Sequence, residues 1–208
     1  MEDRTHRLWA KQDRHEGDRW RLFRTVASAV HAEAVLYPGS YCDVAPSFVF
    51  PAVTYVDVDR RAAQFFADED GVREIVAVHA KAPAEPLIRF IHADYTGDLD
   101  LASGSFDLLV SLYAGFVSEY CTDQLRVGGA LLVNPSHGDA AMASIDPRYE
   151  LSGVVAARSG EYRLRTAALE TYLIPKKPVE LSPELLHERG RGIAYTRSAF
   201  AYLFTRVA

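Results

Sequence analysis

Short apolar runs alternate with helix-type patterns along the first two thirds of the chain. The runs are rich in β-branched and aromatic residues and end at turn signals, so each predicts a strand. They cover residues 35–37, 53–56, 87–92, 106–112 and 130–133. Between them, apolar residues recur every three or four positions, and this spacing predicts helices over residues 20–32, 60–67 and 71–81. The alternation predicts a doubly wound α/β sheet.

The pattern changes in the last third of the chain. Residues 149–157 and 161–166 are extended runs separated by a Ser-Gly pair, which predicts a β-hairpin. A further extended run is expected at residues 170–174, and a closing strand at residues 199–207. The C-terminal third therefore predicts antiparallel additions to a parallel sheet.

Charge and composition narrow the range of functions. The chain has 208 residues and a net charge of −5, with its acids spread out. Binding to duplex nucleic acid or to an anionic membrane surface needs a basic field, so neither partner is expected. No apolar run reaches the length of about 18 residues that a membrane span needs. The charged N-terminus and only two cysteines, Cys42 and Cys121, predict a cytoplasmic protein with reduced thiols.

The stretch over residues 34–59 organises the predicted sheet. Its first strand stops at a turn that contains Gly39, and its second strand stops at Asp57. Asp59 is placed to cap the helix that follows, as Ser182 is for a later helix. In an open parallel sheet, ligands bind at the carboxyl ends of the strands. A strand-end acid that follows a glycine turn is an arrangement that holds a ribose.

Five segments, in order, carry a resemblance to a known family: VLYPGS, VTYVDVD, FIHADY, GSFDLLVSLY and LRVGGALLV. They resemble the class I S-adenosylmethionine-dependent methyltransferases over residues 35–133, and more loosely to the final strand. The resemblance implies an α/β fold: a seven-stranded, mostly parallel Rossmann-like sheet with an antiparallel C-terminal strand and an added hairpin. It divides one domain, residues 1–208, into an N-terminal helical segment (1–32), a cofactor-binding half (33–134) and a substrate-side antiparallel half (135–208).

The resemblance also implies a cofactor, S-adenosylmethionine, and a small-molecule methyl acceptor. Asp57 takes the place of the acid that holds both ribose hydroxyls, and Asp94 that of the acid facing the adenine amino group. The loop backbone from Gly39 to Asp43 would hold the methionine end. The full set of implied cofactor contacts is Tyr37, Gly39, Ser40, Tyr41, Asp57, Val58, Asp94, Tyr95 and Leu112.

The first loop departs from the family pattern. The family has an acid and three glycines at alternating positions, whereas this chain has Tyr37, Gly39, Tyr41 and Asp43. Tyr41 puts a ring where the methionine part of the cofactor would lie. A second hypothesis is therefore a catalytically inactive methyltransferase-like binding or scaffold protein whose site is filled by its own side chains. An NAD-dependent or nucleotide-sugar enzyme is disfavoured, because G-x-G-x-x-G does not follow the first strand.

Two residues are candidates for chemistry. Tyr113 follows the fourth strand, where it could line the transfer site or only pack. His137 follows the fifth strand, where it could act as a general base near neutral pH or belong to an ordinary surface loop. Methyl transfer requires a base only when the acceptor must lose a proton. We expect no metal site.

Overall fold

The computed structural model describes residues 4–15, 17–79 and 82–208. Its strands are β1 (Ala34–Pro38), β2 (Ala52–Asp57), β3 (Leu87–His92), β4 (Phe106–Ser111), β5 (Leu125–Val133), β6 (Tyr149–Arg158), β7 (Glu161–Arg165) and β8 (Ala201–Arg206). Within these residues the strands form one eight-stranded sheet in the order β3-β2-β1-β4-β5-β8-β6-β7. The predicted α/β fold with a mostly parallel sheet is confirmed.

Helices cover both faces of this sheet. They are α1 (Arg4–Gln12), α2 (Asp18–Ala27), α3 (Arg60–Ala67), α4 (Glu69–Ala77), α5 (Val117–Tyr120), α6 (Asp139–Ile145) and α7 (Pro183–Arg189). The predicted helix over residues 71–81 corresponds to α4, and residues 80 and 81 lie outside the described part of the chain. Across the described residues, no helix combines the length and the apolar character needed to cross a membrane.

The direction of the strands changes at the C-terminal side of the sheet. The neighbours from β3 to β5 are parallel, and β8 is antiparallel to both β5 and β6. The predicted antiparallel closing strand is therefore β8, inserted between β5 and β6. The predicted hairpin is also formed, but both of its strands join the sheet, which gives eight strands rather than seven.

Side chains on the central strands alternate between two apolar cores. On β1, Tyr37 faces the core under α2, α3 and α4, whereas Leu36 faces the core under α5, α6 and α7. Phe23 of α2 and Phe65 of α3 are fully buried in the first core. The central strands read as almost continuous apolar runs because both of their faces are covered.

The connection from β1 to β2 is short. In place of a full helix it contains one 3₁₀ turn, Ala45–Phe48. Tyr55 of β2 holds this turn in place, because its hydroxyl lies 2.7 Å from Ser47 Oγ and donates to the Val44 carbonyl at 3.2 Å. The sheet therefore has no helix N-terminus between its first two strands.

The sequence signals predicted the starts of helices correctly, but they were less accurate in the C-terminal loops. Asp59 accepts a hydrogen bond from the Arg61 N–H and Ser182 accepts one from the Leu185 N–H, so both predicted caps are confirmed. The extended run predicted over residues 170–174 is wrong, since the chain forms a 3₁₀ turn there, Leu169–Tyr172. This turn buries the Tyr172 ring against the second core.

Candidate functional site

The strand order reverses between β1 and β4, and this reversal defines the candidate site. β1 pairs with β2 on one side and with β4 on the other. In open α/β sheets, the crevice at the carboxyl ends of such a pair is where ligands bind. The loops that follow β1 and β4 therefore decide what this edge of the sheet can accept.

The Asp57 carboxylate, at the end of β2, organises the loop after β1. Its Oδ2 accepts the Tyr41 N–H at 2.7 Å, and its Oδ1 accepts the Asp59 N–H at 2.7 Å. The residue is half-buried and the neighbouring Val58 is 60% exposed. Each carboxylate oxygen can accept a second hydrogen bond, so Asp57 keeps acceptor capacity for a ligand hydroxyl.

The loop after β1 touches the loop after β4. The Gly39 N–H donates to the Val56 carbonyl at 2.8 Å, which turns the loop toward β2. Gly39 has φ +65°, and a Cβ on it would lie 2.6 Å from Ala114 Cβ. Glycine is therefore required here both for the backbone conformation and for the approach of the two loops. Tyr41 also adopts a positive φ, 48°, which is uncommon for a tyrosine.

Tyr37, Tyr41 and Ser40 lie toward the interior. Tyr37 is 2% exposed, and its hydroxyl donates to Asp43 Oδ2 at 3.1 Å. The half-buried Tyr41 ring packs against the first core, and Ser40 is 2% exposed. The structure thus places Tyr37 and Ser40 below the surface of the crevice, where they support the loop.

Asp43 is a fully buried acid beneath this loop. It accepts the Tyr37 hydroxyl and the Ala45 N–H, and Arg19 Nε lies 3.6 Å from its Oδ2. Burial raises the pKa of the Asp43 carboxyl, and the nearby Arg19 guanidinium opposes that rise. Arg19 was not among the predicted site residues.

The loop after β3 holds Asp94 and Tyr95. Asp94 is exposed, and its Oδ1 accepts both the N–H and the hydroxyl of Thr96, which lowers the pKa of the carboxyl. The Tyr95 hydroxyl accepts the Gly115 N–H at 3.0 Å, which joins the loops after β3 and β4. Leu112 is 2% exposed and belongs to the first core.

The two chemical candidates sit on loops joined by Asn134. The Tyr113 N–H donates to Asn134 Oδ1 at 3.2 Å, and Ser136 Oγ donates to the same oxygen at 2.9 Å. His137 is exposed, with its Nδ1 2.8 Å from Ser136 Oγ. Tyr113 is 51% exposed and has φ +59°. The structure therefore brings both candidates to the same end of the sheet, after β4 and β5.

Asp139 is a second residue that was not among the predicted site residues. It is buried at the start of α6, where its carboxylate accepts the Ser111 and Ser118 hydroxyls at 2.5 Å. Burial raises its pKa to about 6, and the hydrogen bonds from the two serines oppose that rise. A perturbed acid can mark a functional site, but these contacts join β4, α5 and α6 and indicate a structural role.

Neither cysteine is poised for nucleophilic chemistry. Both Cys42 and Cys121 are free and buried, and burial raises the pKa of each thiol to about 12. In the described part of the chain, no group of three or more His, Cys, Asp or Glu residues could hold a metal ion.

Comparison with known proteins identifies the fold. No protein-family model and no curated protein sequence matches the chain. Among solved structures, it is similar to a Klebsiella pneumoniae protein assigned as an O-methyltransferase, with a TM-score of 0.53 and 8% identity over 100% of this chain and 91% of that chain. It is also similar to a methyltransferase from Geobacter sulfurreducens, with a TM-score of 0.51 and 13% identity over 74% and 85% of the two chains. The chain has the Rossmann-like fold of class I methyltransferases.

The contact between the two loops predicts an unequal pair of glycine substitutions. Gly39→Ala and Gly190→Ala both place alanine at a positive φ, but a Cβ at Gly190 would meet nothing within 4 Å. We expect Gly190→Ala to lower the free energy of unfolding by about 1–2 kcal/mol, and Gly39→Ala by about 2–5 kcal/mol because its Cβ overlaps Ala114. Urea unfolding measures both. Equal losses would show that the loops do not touch.

The buried Asp139 predicts a pH effect on stability. Its folded-state pKa of about 6 lies above the unfolded value of about 3.9, so the stability it contributes at low pH is lost as the pH rises from about 4 to about 6. We expect this loss, on the order of 1–3 kcal/mol, to be absent in Asp139→Asn. Guanidinium unfolding between pH 4 and pH 7 measures the difference, with Asp70→Asn as an exposed control. If the free energy of unfolding depends on pH in the same way in the wild type and in Asp139→Asn, Asp139 is not the group responsible for the loss.

Proposed function

We propose that the protein is an S-adenosylmethionine-dependent methyltransferase that acts on a small-molecule acceptor. The observation that carries the proposal is the Asp57 carboxylate. It lies at the end of β2, at the sheet edge beside the strand reversal, and it has unused acceptor capacity. The fold of class I methyltransferases supports the same function.

The residues around Asp57 fit a nucleoside. Ribose hydroxyls would donate to the Asp57 oxygens, which already accept one backbone N–H each. Val58 offers exposed apolar surface beside the acid, suited to one face of a purine. Asp94 and Tyr95 follow the neighbouring strand β3, where the adenine end would extend. The methionine end would lie toward the loop after β1.

The chain's own contribution to methyl transfer is positioning. S-adenosylmethionine, when bound, supplies an electrophilic methyl group, so the protein need only hold donor and acceptor in line and exclude water. Tyr113, exposed at the end of β4, would line the acceptor side. His137 would take a proton from an acceptor that must lose one, and the exposed imidazole could pass it to solvent.

A second function is favoured by two features of the structure. The loops after β1 and β4 meet at Gly39 and Ala114, and the β1–β2 connection has a 3₁₀ turn instead of a helix. The contact would leave less room for the methionine end, and without a helix its carboxylate would meet no helix N-terminus there. Under this hypothesis the protein is a methyltransferase-like binding module that does not bind the cofactor.

Calorimetry with S-adenosylhomocysteine separates the two functions. We expect the wild-type protein to bind it, and its 2′,3′-dideoxy analogue at least about tenfold more weakly, because the hydrogen bonds to Asp57 are lost. In Asp57→Asn the two ligands should differ much less. Asp98→Asn, an exposed acid, serves as the control, and thermal melts check that each variant is folded.

Two results would contradict this proposal. If the wild type releases no heat of binding at millimolar S-adenosylhomocysteine, the methyltransferase function is ruled out and the binding module remains. An equal preference for the ribose hydroxyls in the wild type and in Asp57→Asn would show that the nucleoside binds without Asp57.

A further inference from the structure

A cavity lies beside Tyr113, which follows β4, and Phe200, which precedes β8. Its volume is about 470 Å³, within the range of about 300–1,000 Å³ typical of small-molecule sites. The end of α1, residues 13–15 and the first turn of α2 form one wall, and Tyr113 and Phe200 contribute rings. Among the described residues that line it, none belongs to the set predicted to contact the cofactor. The cavity therefore faces the acceptor side of the candidate site.

Arg19, in the first turn of α2, is the charged group of this cavity that lacks a full set of partners. Its side chain is 17% exposed, and its guanidinium lies 4.9 Å from the centre of the Tyr113 ring. Its Nη1 is shielded from solvent and has no hydrogen-bond partner among the described residues. A buried charged donor without an acceptor is costly, so such a group indicates a missing acceptor.

Asp43 does not supply that acceptor. The Asp43 oxygens already accept the Tyr37 hydroxyl and the Ala45 N–H. The Arg19–Asp43 contact runs through Nε at 3.6 Å, which is an ion pair but too long for a good hydrogen bond. The guanidinium is thus held beside Tyr113 with its Nη1 unpaired.

The charges around the cavity favour an anion. Its lining contains Lys11, Arg14 and Arg19 against two acids, Asp13 and Asp18. Both acids are engaged within the protein. Asp13 accepts the N–H of Gly17, while Asp18 accepts the Tyr162 hydroxyl at 2.9 Å. Three cations against two acids leave one net positive charge on the described lining, while the buried Asp43 faces Arg19 from outside it.

We propose that this cavity binds the methyl acceptor through a carboxylate group that pairs with Arg19. The planar guanidinium fork suits a carboxylate, and the Tyr113 ring provides an apolar wall beside it. Because Tyr113 follows β4 and is joined through Asn134 to the His137 loop, the carboxylate holds the acceptor with its reactive end toward these residues. That the bound anion is the methyl acceptor rests on the proposed function. The anion site itself rests only on the geometry of the cavity.

Binding of sodium benzoate, measured by calorimetry, tests the site. We expect benzoate to bind the wild type at least tenfold more tightly than neutral benzamide, because only benzoate pairs with Arg19. Arg19→Lys keeps the charge but loses the fork, and should weaken benzoate binding several-fold. Arg19→Gln should remove the preference for benzoate.

Arg24→Gln is the matched control, since it makes the same chemical change on the same helix, at an exposed residue outside the cavity lining. It should alter benzoate affinity less than threefold, and thermal melts confirm that each variant is folded. Equal binding of benzoate and benzamide by the wild type, or an unchanged preference in Arg19→Gln, would overturn the proposal.

A second pair of ligands shows whether Arg19 binds the carboxylate of the acceptor or that of the cofactor. S-adenosylhomocysteine has an amino-acid end and 5′-methylthioadenosine does not. We expect Arg19→Gln to bind both as the wild type does. A tenfold loss for S-adenosylhomocysteine alone would assign Arg19 to the cofactor's carboxylate and overturn the acceptor proposal. Benzoate binding that depends on Arg19, with neither nucleoside bound, would uphold the anion site and reject the methyltransferase.

Discussion

The Asp57 carboxylate is the group on which the carboxyl edge of the sheet depends. It accepts backbone N–H groups from Tyr41 in the loop after β1 and from Asp59 at the start of α3. A carboxylate that receives N–H donors can hold a short loop in an unusual conformation, and Tyr41 does adopt a positive φ. The same acid is thus a structural anchor and the group that we propose to bind the nucleoside.

The short β1–β2 connection sets the second constraint. A doubly wound sheet usually places a helix there, and the helix N-terminus then faces the ligand. In this protein Tyr55 secures a 3₁₀ turn instead, and the loop is drawn toward β2 and against Ala114. An anionic part of a ligand therefore meets no helix N-terminus at this connection, and Arg19, which lies against the Tyr113 ring after β4, offers a guanidinium instead.

The fold could be predicted because its signals are local. Apolar runs, turn residues and caps such as Asp59 and Ser182 lie within a few residues of the structure they specify. The Arg19 site could not be predicted, since its partners Asp43 and Tyr113 are brought to it only by the sheet. The strand prediction for residues 170–174 was wrong for a related reason, because burial of Tyr172 outweighed the strand propensity of its neighbours.

Candidate roles for single residues were harder to predict than their positions. Tyr37 was placed correctly at the end of β1, but the direction of its side chain depends on the alternation of the strand, which turns it into the core. Asp94 was placed correctly after β3, where its carboxylate accepts hydrogen bonds from Thr96. The role of Asp139 could not be predicted, because nothing in its neighbourhood along the chain indicates the two serines that it binds.

The most direct test is a crystal structure of the protein grown with S-adenosylhomocysteine. The account predicts a nucleoside at the tips of β1 and β2, with its ribose hydroxyls about 2.5–3.0 Å from the Asp57 oxygens and the Tyr41 N–H still bonded to Oδ2. Crystals at saturating ligand with no nucleoside beside Asp57, and with Gly39 still against Ala114, would contradict it.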